Sequence, residues 1–197
     1  MKKIIVTLLV SISILSFSQV RIGANNAVNS LTNTTSVLLE FGTDKDKGII
    51  LPYVETVPSG ANDAKGGTLI FDVSATTENP NGEYKVKVKN ETAGWSDLSV
   101  QSGYSTTVET DVKDPQAKPL ADKAGAKVII GNKDTTTDGV LVLDSNDKAM
   151  VLPIVDDYKA IKNPSAGMMA FQKHPTDNTK HRLIVFNGQK WAFWEAN

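Results

Sequence analysis

The chain has no cysteine and only two histidines, His174 and His181. Without a thiol there is no disulfide, lipid-modified cysteine, thiol nucleophile or thiolate metal site, so stability must come from an ordinary core or from assembly. The two histidines flank a single turn, and the sequence flags no partners that would complete a hydrolytic triad or a histidine metal site. Basic residues are also few in any one place: 21 lysines and arginines against 22 acids, with no basic run. A nucleic-acid partner is therefore not expected. Segments with sustained helical periodicity are scarce, and past residue 18 no apolar stretch is long enough to span a bilayer.

Residues 1–18 read as an export leader rather than as part of the fold. Lys2 and Lys3 form a positive start, residues 4–17 are uncharged and mostly apolar, and Ser16-Phe17-Ser18 places small residues at both cleavage positions. Cleavage is expected after Ser18, leaving Gln19 first. The apolar stretch falls short of the roughly 20 residues needed to cross a bilayer, so the processed chain is expected to be exported and soluble, with no membrane span. Its destination is the periplasm, the cell surface or the medium. The leader removes two bases and no acid, leaving a formal charge of −3.

One stretch occurs twice. Residues 36–54 read SVLLEFGTDKDKGIILPYV and residues 139–155 read GVLVLDSNDKAMVLPIV. Each has an apolar run, a polar turn with Asp-Lys, and a second apolar run ending in Leu-Pro (Leu51-Pro52, Leu152-Pro153). The surroundings correspond too. Val20-Arg21-Ile22-Gly23 matches Val128-Ile129-Ile130-Gly131, residues 67–73 match a strand starting at Gly167, and Trp95 matches Trp191. The runs are short, rich in Val and Ile, and bounded by Gly, Asn, Asp, Pro and Thr, which is the pattern of strands. Pro52 cannot donate a ladder hydrogen bond, so its strand should end at an edge or bulge there. In residues 83–89 (EYKVKVK), Tyr84, Val86 and Val88 face one side and Lys85, Lys87 and Lys89 the other, which predicts one buried face and one solvated face. Residues 183–186 are apolar on both faces and are expected to be buried on both.

The expected fold class is therefore all-β, with room for one short helix per unit. Two small homologous units, 19–99 and 127–197, follow the leader, and a polar linker, 100–126, is interrupted by Pro115 and Pro119. A short strand fits near residues 104–108, and a short helix fits 156–163, which opens with acids and is followed by Pro164. Units of this size are near the lower limit for a self-sufficient core, so they are expected to pack on each other or to oligomerise.

These residues resemble a recurring pattern in exported and tail-fibre-like proteins of Bacteroidota. In it, a strand ending in Ile-Gly leads to Asp-Lys-Gly, apolar residues and Leu-Pro, then Pro-x-x-Gly, then Asn-Gly-x-x-Trp. The matches are Ile22-Gly23 and Ile130-Gly131; Asp46-Lys47-Gly48-Ile49-Ile50-Leu51-Pro52 and Asp147-Lys148-Ala149-Met150-Val151-Leu152-Pro153; Pro164-Ser165-Ala166-Gly167; and Asn187-Gly188-Gln189-Lys190-Trp191. Unit one departs from it, with Ala64-Lys65-Gly66-Gly67 for the Pro-x-x-Gly element and no Asn-Gly before Trp95. The resemblance implies a shared fold and a surface or fibre role, and it carries over no catalytic residue.

Two ligand readings remain. Asp134, Thr136 and Asp138 place oxygen side chains at alternate positions before Gly139, as in the first half of a calcium loop, although Ser145 stands where the closing glutamate would be. Good turn formers account for the same residues. Near the C-terminus, Trp191 and Phe193 share a face, and Trp194, on the other face, is the candidate exposed aromatic for stacking on a sugar. The resulting expectation is a non-enzymatic, exported structural or adhesive component of a cell surface or fibre-like assembly. Its partners would be other surface or outer-membrane proteins, or a second copy of itself. The alternatives are a carbohydrate-binding module using Trp194 and an exported hydrolase. The hydrolase would need a cleft joining acids from both units.

Overall fold

A computed structural model describes residues 20–22, 37–41, 47–59, 64–116, 126–132, 135–137, 139–174, 176–177 and 180–195. The leader, Gly23 and the loop after it, Asp46, Asp134, Asp138 and the second part of the expected linker lie outside them.

The fold is all-β, with a single α-helix among the described residues. In each unit the strand that carries Leu-Pro is broken there, where the sequence places an edge or a bulge. β1 (Val20–Ile22) and β2 (Val37–Phe41) are followed by β3 (Ile49–Ile50), then β4 (Tyr53–Val54) beyond Leu51-Pro52. β5 (Leu69–Asp72), β6 (Lys85–Asn90) and β7 (Gly94–Asp97) complete unit one. Unit two repeats the order as β8 (Val128–Ile130), β9 (Leu141–Leu143), β10 (Ala149–Val151) and β11 (Ile154–Val155). It closes with β12 (Met168–Gln172), β13 (Arg182–Phe186) and β14 (Trp191–Glu195). Proline supplies no donor, so the ladder stops and the chain enters a different sheet.

The two Leu-Pro elements occupy matching surroundings. Phe71 N donates to Pro52 O at 2.9 Å, and Phe171 N to Pro153 O at 2.9 Å. β4 lies parallel to β5 with Tyr53 opposite Phe71, and β11 parallel to β12 with Ile154 opposite Phe171. Thr68 N reaches Lys65 O, and Met168 N reaches Ser165 O, each at 3.1 Å. Both turns need a residue with positive φ at the third position, and Gly67 (φ 86) and Gly167 (φ 76) provide it. Trp95 and Trp191 sit at equivalent register, opposite Lys89 and Phe186.

The units are nonetheless not independent. β5–β6–β7 and β12–β13–β14 are antiparallel ribbons with β4 and β11 on their respective edges. β3 of unit one runs antiparallel to the start of β12, with Ile49 opposite Met169 and Ile50 opposite Met168. In return, β10 of unit two lies parallel to β2, completing the sheet β1-β2-β10. The main core draws on both units, uniting Leu51, Phe71, Val73 and Val86 with Ala166, Met169 and Val185. A second cluster holds Val155, Ile161, Met168, Ala170, Ile184 and Phe186. As expected, residues 183–186 serve both sides of their sheet: Val185 joins the first cluster, Ile184 and Phe186 the second.

The expected linker is corrected in its first part. Residues 106–116 form helix α1 (Thr106–Gln116), not an irregular tether, and the strand suggested near 104–108 is absent. Ser105 caps the helix, its Oγ accepting from Val108 N at 3.2 Å. Val108 and Val112, one turn apart, bury into the core shared by the two units. The helix expected within 156–163 is reduced to a single 3-10 turn, Tyr158–Ala160, whose Asp157 side chain accepts from Lys159 N. No helix among the described residues is long and apolar enough to cross a membrane.

Candidate functional site

The alternation of residues 83–89 is borne out on its apolar side, where Tyr84 and Val86 are fully buried. Its lysine side is not the solvated face that the pattern suggests. Lys87 Nζ lies 2.6 Å from Asp72 Oδ2 and 3.7 Å from Glu83, and Lys85 Nζ lies 3.2 Å from Glu83 and 3.3 Å from Asp97. Asp72 is wholly buried, and its other oxygen accepts from Ser74 N at 2.8 Å. Burial by itself would raise the Glu83 carboxyl; hydrogen bonds from Asn79, Thr76 and Lys85, with the Lys85 charge, outweigh it and bring the pKa down to about 2. The three carboxylates and two ammonium groups thus satisfy one another, which makes this a structural network rather than an open anion site. Unit two answers it with different chemistry. Gln172 and Arg182 stand where Asp72 and Lys85 do, joined Oε1 to Nε at 2.9 Å.

A cleft of about 220 Å³ lies between α1 and the Pro164–Gly167 turn. Tyr53 crosses its wall, and its hydroxyl donates to Ala166 O at 3.0 Å. Burial pushes that phenol's pKa up, and the Asp111 charge adds to the effect. The only acid in the lining is Asp111, from the helix, so the cleft does not join acids from both units. Its titratable lining is the Tyr53 phenol and the Asp111 carboxylate.

The histidines are apart in role. His174 Nδ1 accepts from Asp177 N at 3.1 Å and so shapes its own turn. His181 packs edge-on to Phe171, ring centres 6.1 Å apart, and its buried Nε2 has no protein partner. Of the calcium candidates, Asp134 and Asp138 lie outside the described residues, and Thr136 is exposed. The neighbouring carbonyls of Thr135 and Thr137 accept from Lys127 Nζ, at 3.4 and 2.8 Å, so an ammonium already faces that loop. Among the described residues no group of three or more His, Asp or Glu is placed to hold a metal.

The C-terminal aromatics divide as alternation requires. Trp191 and Phe193 both meet Tyr158, with ring centres 6.0 and 5.0 Å apart, and Arg182 lies 4.2 Å above Phe193. Trp194, on the opposite face, is 41% exposed. Its Nε1 donates to Leu98 O at 2.6 Å, leaving a ring face, but not its polar handle, for a ligand.

Sequence reasoning missed Asp72 and Asp97 because they come from separate segments. The one available clue was that three same-face lysines need counter-charges once buried. Tyr158 and Arg182 were missed for the same reason. Comparison with protein-family models, with curated proteins and with solved structures finds no match to this chain.

Proposed function

We propose that the protein is an exported, non-enzymatic structural or adhesive component of a cell surface or fibre-like assembly. The observation that carries this reading is what the repeated residues do. Pro52 and Pro153 supply the same carbonyl contact, Gly67 and Gly167 the same turn, and Trp95 and Trp191 the same register position. The repetition serves backbone shape, and the charged groups of unit one neutralise each other rather than face a cleft. Purified protein should give no turnover on ester, glycoside or phosphate reporter substrates, and His174→Ala with His181→Ala should leave that background unchanged. A signal that depends on either histidine would refute the proposal.

A second reading, glycan binding, draws support from the exposure of Trp194, 41%. Trp194→Ala should then lose glycan-array binding while the thermal unfolding curve keeps its shape. Unchanged binding in that variant would remove this reading.

A further inference from the structure

The exchange of strands between the units is reciprocal but not symmetric. β2 pairs with β1 on one edge and with β10 on the other. β9 is its counterpart, since Leu39 opposite Val20 corresponds to Leu141 opposite Val128, yet among the described residues β9 pairs with β8 alone. Likewise β12 receives β3 along Met168 and Met169, while among the described residues β5 has no strand at the matching Thr68 and Leu69. The lent strands are also half-used. Among the described residues β3 pairs only with β12, and β10 only with β2.

Burial follows the pairing rather than the sequence. Val37, Leu38 and Leu39 are 8%, 1% and 0% exposed, whereas Leu141 is 46% exposed and the adjacent Val140 69%. Gly167, Met168 and Met169 are buried, whereas Gly67 is exposed and Thr68 and Leu69 are half-buried. Corresponding positions carry the same backbone and differ in whether a neighbouring unit covers them. An uncovered strand edge holds unspent donors and acceptors in a fixed spacing, which is a template for another strand.

We infer that a second copy of this chain supplies the missing strands, through the interface that already joins the two units within one chain. Transferring the internal pairing fixes the register. β3 of one copy lies parallel to β9 of the next, with Ile49 opposite Leu141 and Ile50 opposite Val142. β10 lies antiparallel to β5 of the first, with Met150 opposite Leu69 and Val151 opposite Thr68. The contact is heterologous: each copy offers one half at β3 and β5 and the complementary half at β9 and β10. Such contacts make a closed ring or an open filament, according to the rotation between units. The inference rests on the structural reading above and deepens it by naming the partner.

The test uses two variants at side chains that are exposed in the single chain, Leu141→Lys and Ile50→Lys, 46% and 51%. Light scattering behind size exclusion should show wild-type protein growing into higher species with concentration. Each variant alone should self-associate more than about tenfold more weakly, because a charge is buried in the seam. Mixed together they should form a dimer and nothing larger, since each keeps the half that the other lacks. Should either variant fail to fold, a chain carrying Val142→Cys and a chain carrying Ile50→Cys, with no other thiol present, should still give a disulfide-linked dimer on mixing under mild oxidation. Monomeric wild type at every concentration overturns the inference, as do assemblies that survive both lysine substitutions. A monomer would leave the non-enzymatic reading standing, which falls only on histidine-dependent turnover.

Discussion

Replacing Gly103 with alanine is expected to destabilise the protein by roughly 4 kcal/mol or more, which places it among the exceptional single substitutions. A Cβ at residue 103 would stand 1.7 Å from the Asn187 carbonyl oxygen and 2.6 Å from its carbon, and both are backbone atoms that cannot rotate away. The segment would have to lift from the Asn187-Gly188 turn. That would break the bonds from Asn187 Nδ2 to Gln101 O (2.9 Å), from Lys190 Nζ to Gln101 Oε1 (3.3 Å) and from the Gln189 side chain to Tyr104 O. Overpacking costs about 1–3 kcal/mol and each lost hydrogen bond about 1. For a chain of this size the melting temperature should fall by about 10 °C. A loss below about 1 kcal/mol in chemical denaturation would mean that α1 is not held to unit two through this contact.

Asp72→Ala is the second large effect. It leaves Lys87 Nζ, drawn in among buried residues, with only the more distant Glu83 oxygen at 3.7 Å. Breaking a buried pair by removing one partner costs about 3–5 kcal/mol. Adding Lys87→Met should restore most of the loss, because no charge then remains unpaired; a double variant as unstable as the single would mean that the carboxylate's bond to Ser74 N dominates instead. The same network sets an acid limit. Glu83 titrates at about 2 in the folded chain against about 4.5 unfolded, so the stability it contributes is complete above pH 4.5 and fades as pH falls towards 2. Glu83→Gln should flatten the acid limb of a stability-versus-pH curve, and an unchanged limb would assign the acid sensitivity to other carboxylates.

Much of the architecture was legible because punctuation residues have local causes. Proline stops a ladder wherever it stands, and the two Leu-Pro elements made equivalent contacts. Alternation at Tyr84 and Val86 and the paired tryptophans were legible for similar reasons, whereas Gly67 and Gly167, read as strand starts, sit at the third position of a turn. Helix α1 was not, because TTVETDVKDPQ has only Val108 and Val112 as an apolar stripe and is otherwise made of weak helix formers and a proline. Its helicity comes from docking those two valines, from the Ser105 cap and from the Glu109–Lys113 pair at 2.9 Å. Which unit each strand joins was also hidden, since β3 and β10 look alike in sequence but one lies against β12 and the other against β2. The charged network was illegible in the opposite sense. The lysines and the neighbouring Glu83 were visible, but Asp72 and Asp97 reach them only after the sheet has formed.

The pairing of β2 with β10 joins residues as far apart as Val37 and Ala149. While the ribosome is still making the first half, β2 has only β1 to pair with and β3 has no partner strand among the described residues, so the sheet β1-β2-β10 stays incomplete until unit two exists. Closing so long a loop is a slow, late event, and high contact order places such chains in the millisecond-to-second range or beyond. The first unit therefore finishes folding only together with the second, where two autonomous modules would close one after the other.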